Sequence, residues 1–333
     1  MTAAEPVAGV ADRAAAPVLG SARGASRVAF AMVLVAASCW GTQGTVYALI
    51  LRGVAIAPVT LVLVRAISAF AALLAFAVVC RRDLLRVRVR DLPFLACFGF
   101  VTITALYVAL IYAFALTGVA IGTILLYLAP AIVAVASALA LGEPLTRRKV
   151  VALALCLAGA ALVVEPWRGA GSRASGVGVA LGLVSAACYA AYSVLGKAAL
   201  RRHHPLTLLL YALGFGCVGL VPFQVVAGSA FPSGWALLTI ALTTGGLVTL
   251  LPMALYTTAL RALPSSVAAI LATFEPVVAI ALAAVVLGQL LTTPQLAGAA
   301  AIVGGVVVLA GRRPGSPSPS AHSSTLEDGG QPA

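Results

Sequence analysis

The chain has 333 residues, 62% of hydrophobic types and only 9% charged, with a mean hydropathy of +1.11. A soluble domain carries about 25% charged residues, so this surface is not built to face water. The apolar runs are too long for a porin-like barrel and too hydrophobic for disorder. An all-α integral membrane protein remains, because lipid admits only helices and closed barrels. The formal charge of +12 then points to basic loops on anionic lipid rather than to nucleic acid.

Residues 1–27 read as a disordered tail. Ten stretches of spanning length follow, near 28–51, 56–80, 93–116, 119–141, 148–165, 177–199, 206–228, 235–259, 265–288 and 295–311. The Pro/Ser/Gly-rich residues 312–333 read as a second disordered tail. The six cysteines lie in or beside apolar runs without a CxxC pair, so they read as small buried hydrophobes. The histidines stand in a loop (His203, His204) and in the tail (His322). No metal site or cofactor is therefore expected. A P-loop and an intramembrane Ser/His/Asp or Cys/His set are both missing, which argues against ATP drive and against an enzyme. Abundant alanine, no asparagine and only two lysines (Lys149, Lys197) suggest a GC-rich bacterial genome and a bacterial plasma membrane.

Basic residues set the orientation. With the N-terminus in the cytoplasm, 17 of the 21 Lys+Arg fall on the inside, five of them in 81–91. Only Arg52, Arg168 and Arg173 fall outside, and Arg65 lies within span 2. Both termini are expected in the cytoplasm.

The second half repeats the first. At an offset of 146, Pro130 meets Pro276, Gly142 meets Gly288, Leu145 meets Leu291, Thr146 meets Thr292 and Gly159 meets Gly305. At 149, residues 34–40 (LVAASCW) lie over 183–189 (LVSAACY). Each copy has five helices, an odd number, so the second copy enters the membrane from the opposite side. Two inverted five-helix repeats are expected, a common plan of secondary transporters.

The chain resembles the EamA family of the drug/metabolite transporter superfamily over residues 28–311. The resemblance rests on "LAP" at 128–130 and "FEP" at 274–276, on "LGEPLT" at 141–146 and its echo "LGQLLT" at 287–292, and on Gly159 and Gly305. It implies a metabolite or drug carrier with two five-helix halves, 28–165 and 177–311, and cytoplasmic termini. Gln289 departs from the family, which often repeats the Glu seen at 143.

Polar residues within spans are the functional candidates. Glu275 is the one acid in mid-span. It can face a polar path, or it can brace the Ala272 carbonyl, which Pro276 leaves without its helical donor. Arg65 can pair with substrate, with Glu275 or with helix carbonyls. Trp40 and Gln43 on span 1 match Tyr189 and Tyr192 on span 6, each pair sharing a helix face. Span 3 adds Thr104 and Tyr107, span 4 Thr123 and Tyr127, span 8 Thr249, Met253 and Tyr256, and span 9 Thr273. These six spans are expected to line a cavity for a small amphipathic or aromatic solute, with Pro130 and Pro276 kinking their helices. Helix packing or an interfacial aromatic belt is the competing reading. Spans 5 and 10 contain no mid-span residue more polar than Cys156 and are expected at the periphery, as braces or as a homodimer contact. The expected function is a secondary transporter that exports a small solute, either proton-coupled through Glu275 or by facilitated diffusion. The alternative is a sensor or assembly protein retaining the transporter fold.

Overall fold

A computed structural model describes residues 18–50, 56–169 and 175–311. Ten helices in it are long and apolar enough to cross a membrane. They are α1 (Gly24–Leu49), α2 (Pro58–Cys80), α3 (Val89–Thr117), α4 (Val119–Leu141), α5 (Arg147–Arg168), α6 (Gly176–Ala199), α7 (Pro205–Ala227), α8 (Gly234–Ala259), α9 (Ser265–Leu287) and α10 (Thr293–Ala310). Helical backbone begins already at Val18, inside the stretch expected as a tail. That segment is free of proline, so no residue in it breaks a helix outright. The rest of the N-terminal tail and residues 312–333 lie outside the described residues.

The duplicated motifs turn out to be helix stops and starts. Gly142 and Gly288 end α4 and α9 with φ of 68° and 67°, a left-handed cap that glycine adopts without strain. Four residues later, Thr146 and Thr292 start α5 and α10 by accepting a hydrogen bond from the backbone N–H of Lys149 and Gln295. Pro58 and Pro205 open α2 and α7 at the first helical position, where a missing N–H does no harm.

Both repeats break the same helices. α4 is interrupted at Tyr127–Leu128 and α9 at Thr273–Phe274, each just ahead of its proline. α3 and α8 carry wide-turn π segments at Phe100–Ala105 and Ala241–Leu250. The symmetry fails in α1, which breaks at Thr42 whereas α6 runs unbroken.

Packing obeys the same symmetry. α3 packs on α6 as α8 packs on α1, α4 on α6 as α9 on α1, and α7 on α3 as α2 on α8. Three further pairs, α2–α7, α4–α9 and α5–α10, join a helix to its own repeat partner. Exchanging the halves leaves these main contacts unchanged, as a pseudo-twofold relation between the repeats requires. The outward faces carry exposed Val79, Leu139, Val226 and Val285, a surface suited to lipid.

Small residues let the helices close on one another. A Cβ on Gly178 would lie 2.6 Å from Thr117 Cγ2, so α6 meets α3 without room for a side chain. In α5 and α10, a Cβ on Gly159 would lie 2.6 Å from the Gly298 carbonyl oxygen, and one on Gly298 2.5 Å from that of Gly159. The glycine faces of α5 and α10 thus meet within the chain. Gly298→Ala is expected to cost about 1–3 kcal/mol by overpacking. Gly304→Ala, which has open space around it, is expected to stabilise by up to about 1 kcal/mol through helix propensity. Melting in detergent compares the two; equal responses would refute the tight contact.

Candidate functional site

Arg65 is 3% exposed, and an unpaired cation there would be costly. Its neighbours supply partners from two other helices. Nη1 donates to Gln43 Oε1 at 3.2 Å and to Tyr47 Oη at 3.0 Å, both on α1. Nη2 donates to Tyr107 Oη of α3 at 2.6 Å. The guanidinium carbon also lies 4.6 Å from the Tyr107 ring centre, a cation–π distance. Nε is buried and makes no hydrogen bond. Neither Glu275 nor a helix carbonyl takes these bonds; neutral side chains do.

An aromatic stack lies beside this cluster. Trp40 packs at 5.6 Å on Tyr256, which also meets Tyr192 at 6.2 Å and Tyr189 at 6.5 Å. Tyr192 continues the stack to Phe98 at 5.5 Å. Tyr256 is fully buried and its hydroxyl shares a 2.8 Å hydrogen bond with Ser193 Oγ. The Tyr192 hydroxyl pairs with Thr257 Oγ1 at 2.5 Å. In this conformation these two hydroxyls serve the packing between α6 and α8.

A cavity opens at the other end of the stack. About 300 Å³ of empty space, its open mouth included, is lined by Leu126, Tyr127, Ala129, Pro130, Tyr189, Ala269, Ala272, Thr273 and Glu275. Its walls come from α4, α6 and α9, three of the six spans expected. Six of the nine lining residues pair up across the repeat: Leu126 with Ala272, Tyr127 with Thr273, Ala129 with Glu275, all at the offset of 146. The cavity therefore sits between the two helix breaks. All three pairs differ in side chain, and one of the differences introduces the carboxylate.

Glu275 is half-buried at the first turn of the second segment of α9. Its charge is within electrostatic reach of Arg65, Tyr127 and Tyr189. Among the described residues, no hydrogen-bond donor engages its carboxylate. Pro130 and Pro276 have no N–H, so the carbonyls of Leu126 and Ala272 lack the donor that an unbroken helix would supply from four residues on. The site thus combines one carboxylate, two carbonyls to which the proline four residues on cannot donate, and tyrosine rings.

Of the sequence candidates, Tyr127, Pro130, Tyr189 and Glu275 meet at the cavity, Gln43, Arg65 and Tyr107 form the guanidinium cluster, and Trp40, Tyr192 and Tyr256 form the stack. Pro276 is buried directly after the α9 break. Tyr47 was missed. It stands four residues beyond Gln43, so helical spacing already placed it on the same face.

Glu143 is the other functional-looking side chain that the residue pattern did not single out. Its Oε1 accepts from the Ser265 backbone N–H at 2.6 Å, and its Oε2 from the Ser266 N–H at 3.1 Å and hydroxyl at 2.5 Å. Lys149 Nζ stands 3.7 Å away. The loop after α4 in one half is thereby tied to the start of α9 in the other.

Two five-helix halves around a cavity define a membrane transporter architecture. The chain belongs to the EamA-like transporter family, which matches residues 27–165 and again 176–311. An uncharacterized transporter of Archaeoglobus fulgidus is 33% identical over 69% of this chain and 79% of its own length. The threonine/homoserine exporter RhtA of Salmonella typhimurium is 32% identical over 38% of this chain and 42% of its own length. A solved crystal structure shares the fold, with a TM-score of 0.73 at 18% identity over 86% of this chain and 96% of that one. The family and these relatives are transporters, not enzymes.

Proposed function

We propose that this protein is a secondary carrier of the bacterial plasma membrane that exports a small solute by alternating access, with protons exchanged at Glu275. One observation carries the reading: the cavity lies between helix breaks in both repeats. Five helices per half invert the second copy, so exchanging the conformations of the halves, 28–165 and 177–311, would turn a cavity open to one side into one open to the other. The relative named as a threonine/homoserine exporter supports export of a solute of amino-acid size. A homodimer through the outer faces of α5 and α10, where Val150, Val151, Val303 and Val307 are exposed, is compatible with this scheme.

The deciding experiment is transport in liposomes, with solutes chosen by comparing medium and cell contents of an overexpressing strain. Solute-specific counterflow is the expected result; the absence of any flux would favour the sensor or assembly reading. Orientation has its own test. With both termini in the cytoplasm, a cysteine at the exposed position of Arg86 should resist a membrane-impermeant reagent added to intact cells. Labelling from outside would reverse the topology.

A further inference from the structure

We propose that the cavity binds the primary ammonium group of its solute, with Glu275 as counter-ion and the carbonyls of Leu126 and Ala272 as the remaining acceptors; this rests on the transporter reading above. The Glu275 carboxylate reaches the cavity without a hydrogen-bond donor among the described residues. Arg65 does not neutralise it by contact, because Nη1 and Nη2 are held by Gln43, Tyr47 and Tyr107. The cavity therefore holds a negative group that wants N–H donors. A primary ammonium brings three donors on one small charged head.

The backbone supplies the other two acceptors by the same device twice. Pro130 removes the helical donor from Leu126 and Pro276 removes it from Ala272. Both residues line the cavity, one from each repeat. A broken helix that exposes carbonyls beside a solute cavity is a recognised way to hold a cation within a membrane. The rings of Tyr127 and Tyr189, also in the lining, suit the same charge, since an ammonium is drawn to the face of an aromatic ring. A carboxylate-only solute would meet Glu275 as a like charge. Sodium would use the oxygens but gain nothing from shape or from the apolar wall of Ala129, Pro130 and Ala269.

The test is a set of primary amines of amino-acid size, each paired with its N-acetyl derivative, added to the purified full-length protein while its melting is followed. Free amines should raise the melting temperature and the N-acetyl partners should not. Glu275→Gln should weaken amine binding more than tenfold, and Glu275→Asp should retain part of it. Equal stabilisation by the N-acetyl partners, no stabilisation by any amine, or an undiminished response in Glu275→Gln would each overturn the proposal. So would stabilisation that follows sodium instead of amine. Counterflow of a solute without an amino group, unchanged in Glu275→Gln, would remove the ammonium site and leave the transporter standing. No flux of any solute would remove the transporter reading itself.

Discussion

Glu275→Gln is expected to abolish the acceleration of transport by a pH gradient, by at least tenfold, while exchange at saturating solute survives. The glutamine keeps the size of the side chain and an acceptor oxygen, but it cannot ionise. One carboxylate cannot carry a proton and pair with an ammonium at the same time. Under the proposed scheme, solute leaving on one side of the membrane would be replaced by a proton, and that alternation would be the coupling. With the amide, solute still crosses down its own gradient at a higher half-saturation concentration, because an uncharged acceptor holds an ammonium less strongly. Gradient-driven and exchange flux measured in the same liposomes separate the two steps. Undiminished gradient-driven uptake in the variant would eliminate Glu275 as the coupling group. Arg65 supplies a second arm. Arg65→Lys keeps the charge but loses the planar fork that reaches α1 and α3 together, so it should lower flux by roughly tenfold with the pH-gradient dependence retained. A lysine variant with full flux would show that the guanidinium geometry is dispensable.

The ten spans were legible because lipid imposes a single rule, about 20 apolar residues per crossing, and each stretch read from the sequence overlaps an observed helix. The repeat was legible because turn chemistry is strict: Gly142 and Gly288 need a left-handed backbone, and Thr146 and Thr292 are N-caps. The site was only partly legible. Inside a bundle, a packed core and a solute cavity are both shielded from lipid, so helical spacing cannot tell Tyr256, which is fully buried, from Tyr189 at the cavity wall. Spans 5 and 10 were expected at the rim from their apolar sequences. That expectation did not anticipate that their glycines meet each other, since spacing on one helix does not name the partner helix. The contact between Glu143 and Ser265 joins residues 122 positions apart. No local pattern encodes such a contact, and Glu143 read simply as part of a loop motif.

That contact carries the second large expected effect. Glu143→Ala should destabilise the fold by about 3 kcal/mol, since it removes an ionised acceptor from two backbone N–H groups and one hydroxyl, and such bonds are worth about 1.5–3 kcal/mol each before solvent access reduces them. An apparent melting temperature lower by roughly 5 °C is expected in detergent. The repeat provides an internal control. Gln289 occupies the equivalent position in the other half but is exposed, so Gln289→Ala should stay within about 0.5 kcal/mol of the parent. The pH dependence follows from the same bonds. Burial alone would raise the Glu143 carboxyl, but the Ser266 hydroxyl, the Ser265 and Ser266 amides and the Lys149 charge outweigh it and hold the group below its ordinary value. A carboxyl lowered by folding stabilises most above its unfolded pKa of about 4.3, and the contribution fades as pH falls through the lower folded value. The gap in melting temperature between the parent and Glu143→Ala should therefore be constant from neutral pH down to about 5 and narrow in more acidic buffer. A gap that widened on acidification, or equal melting of Glu143→Ala and Gln289→Ala at neutral pH, would mean that this contact does not hold the two halves together.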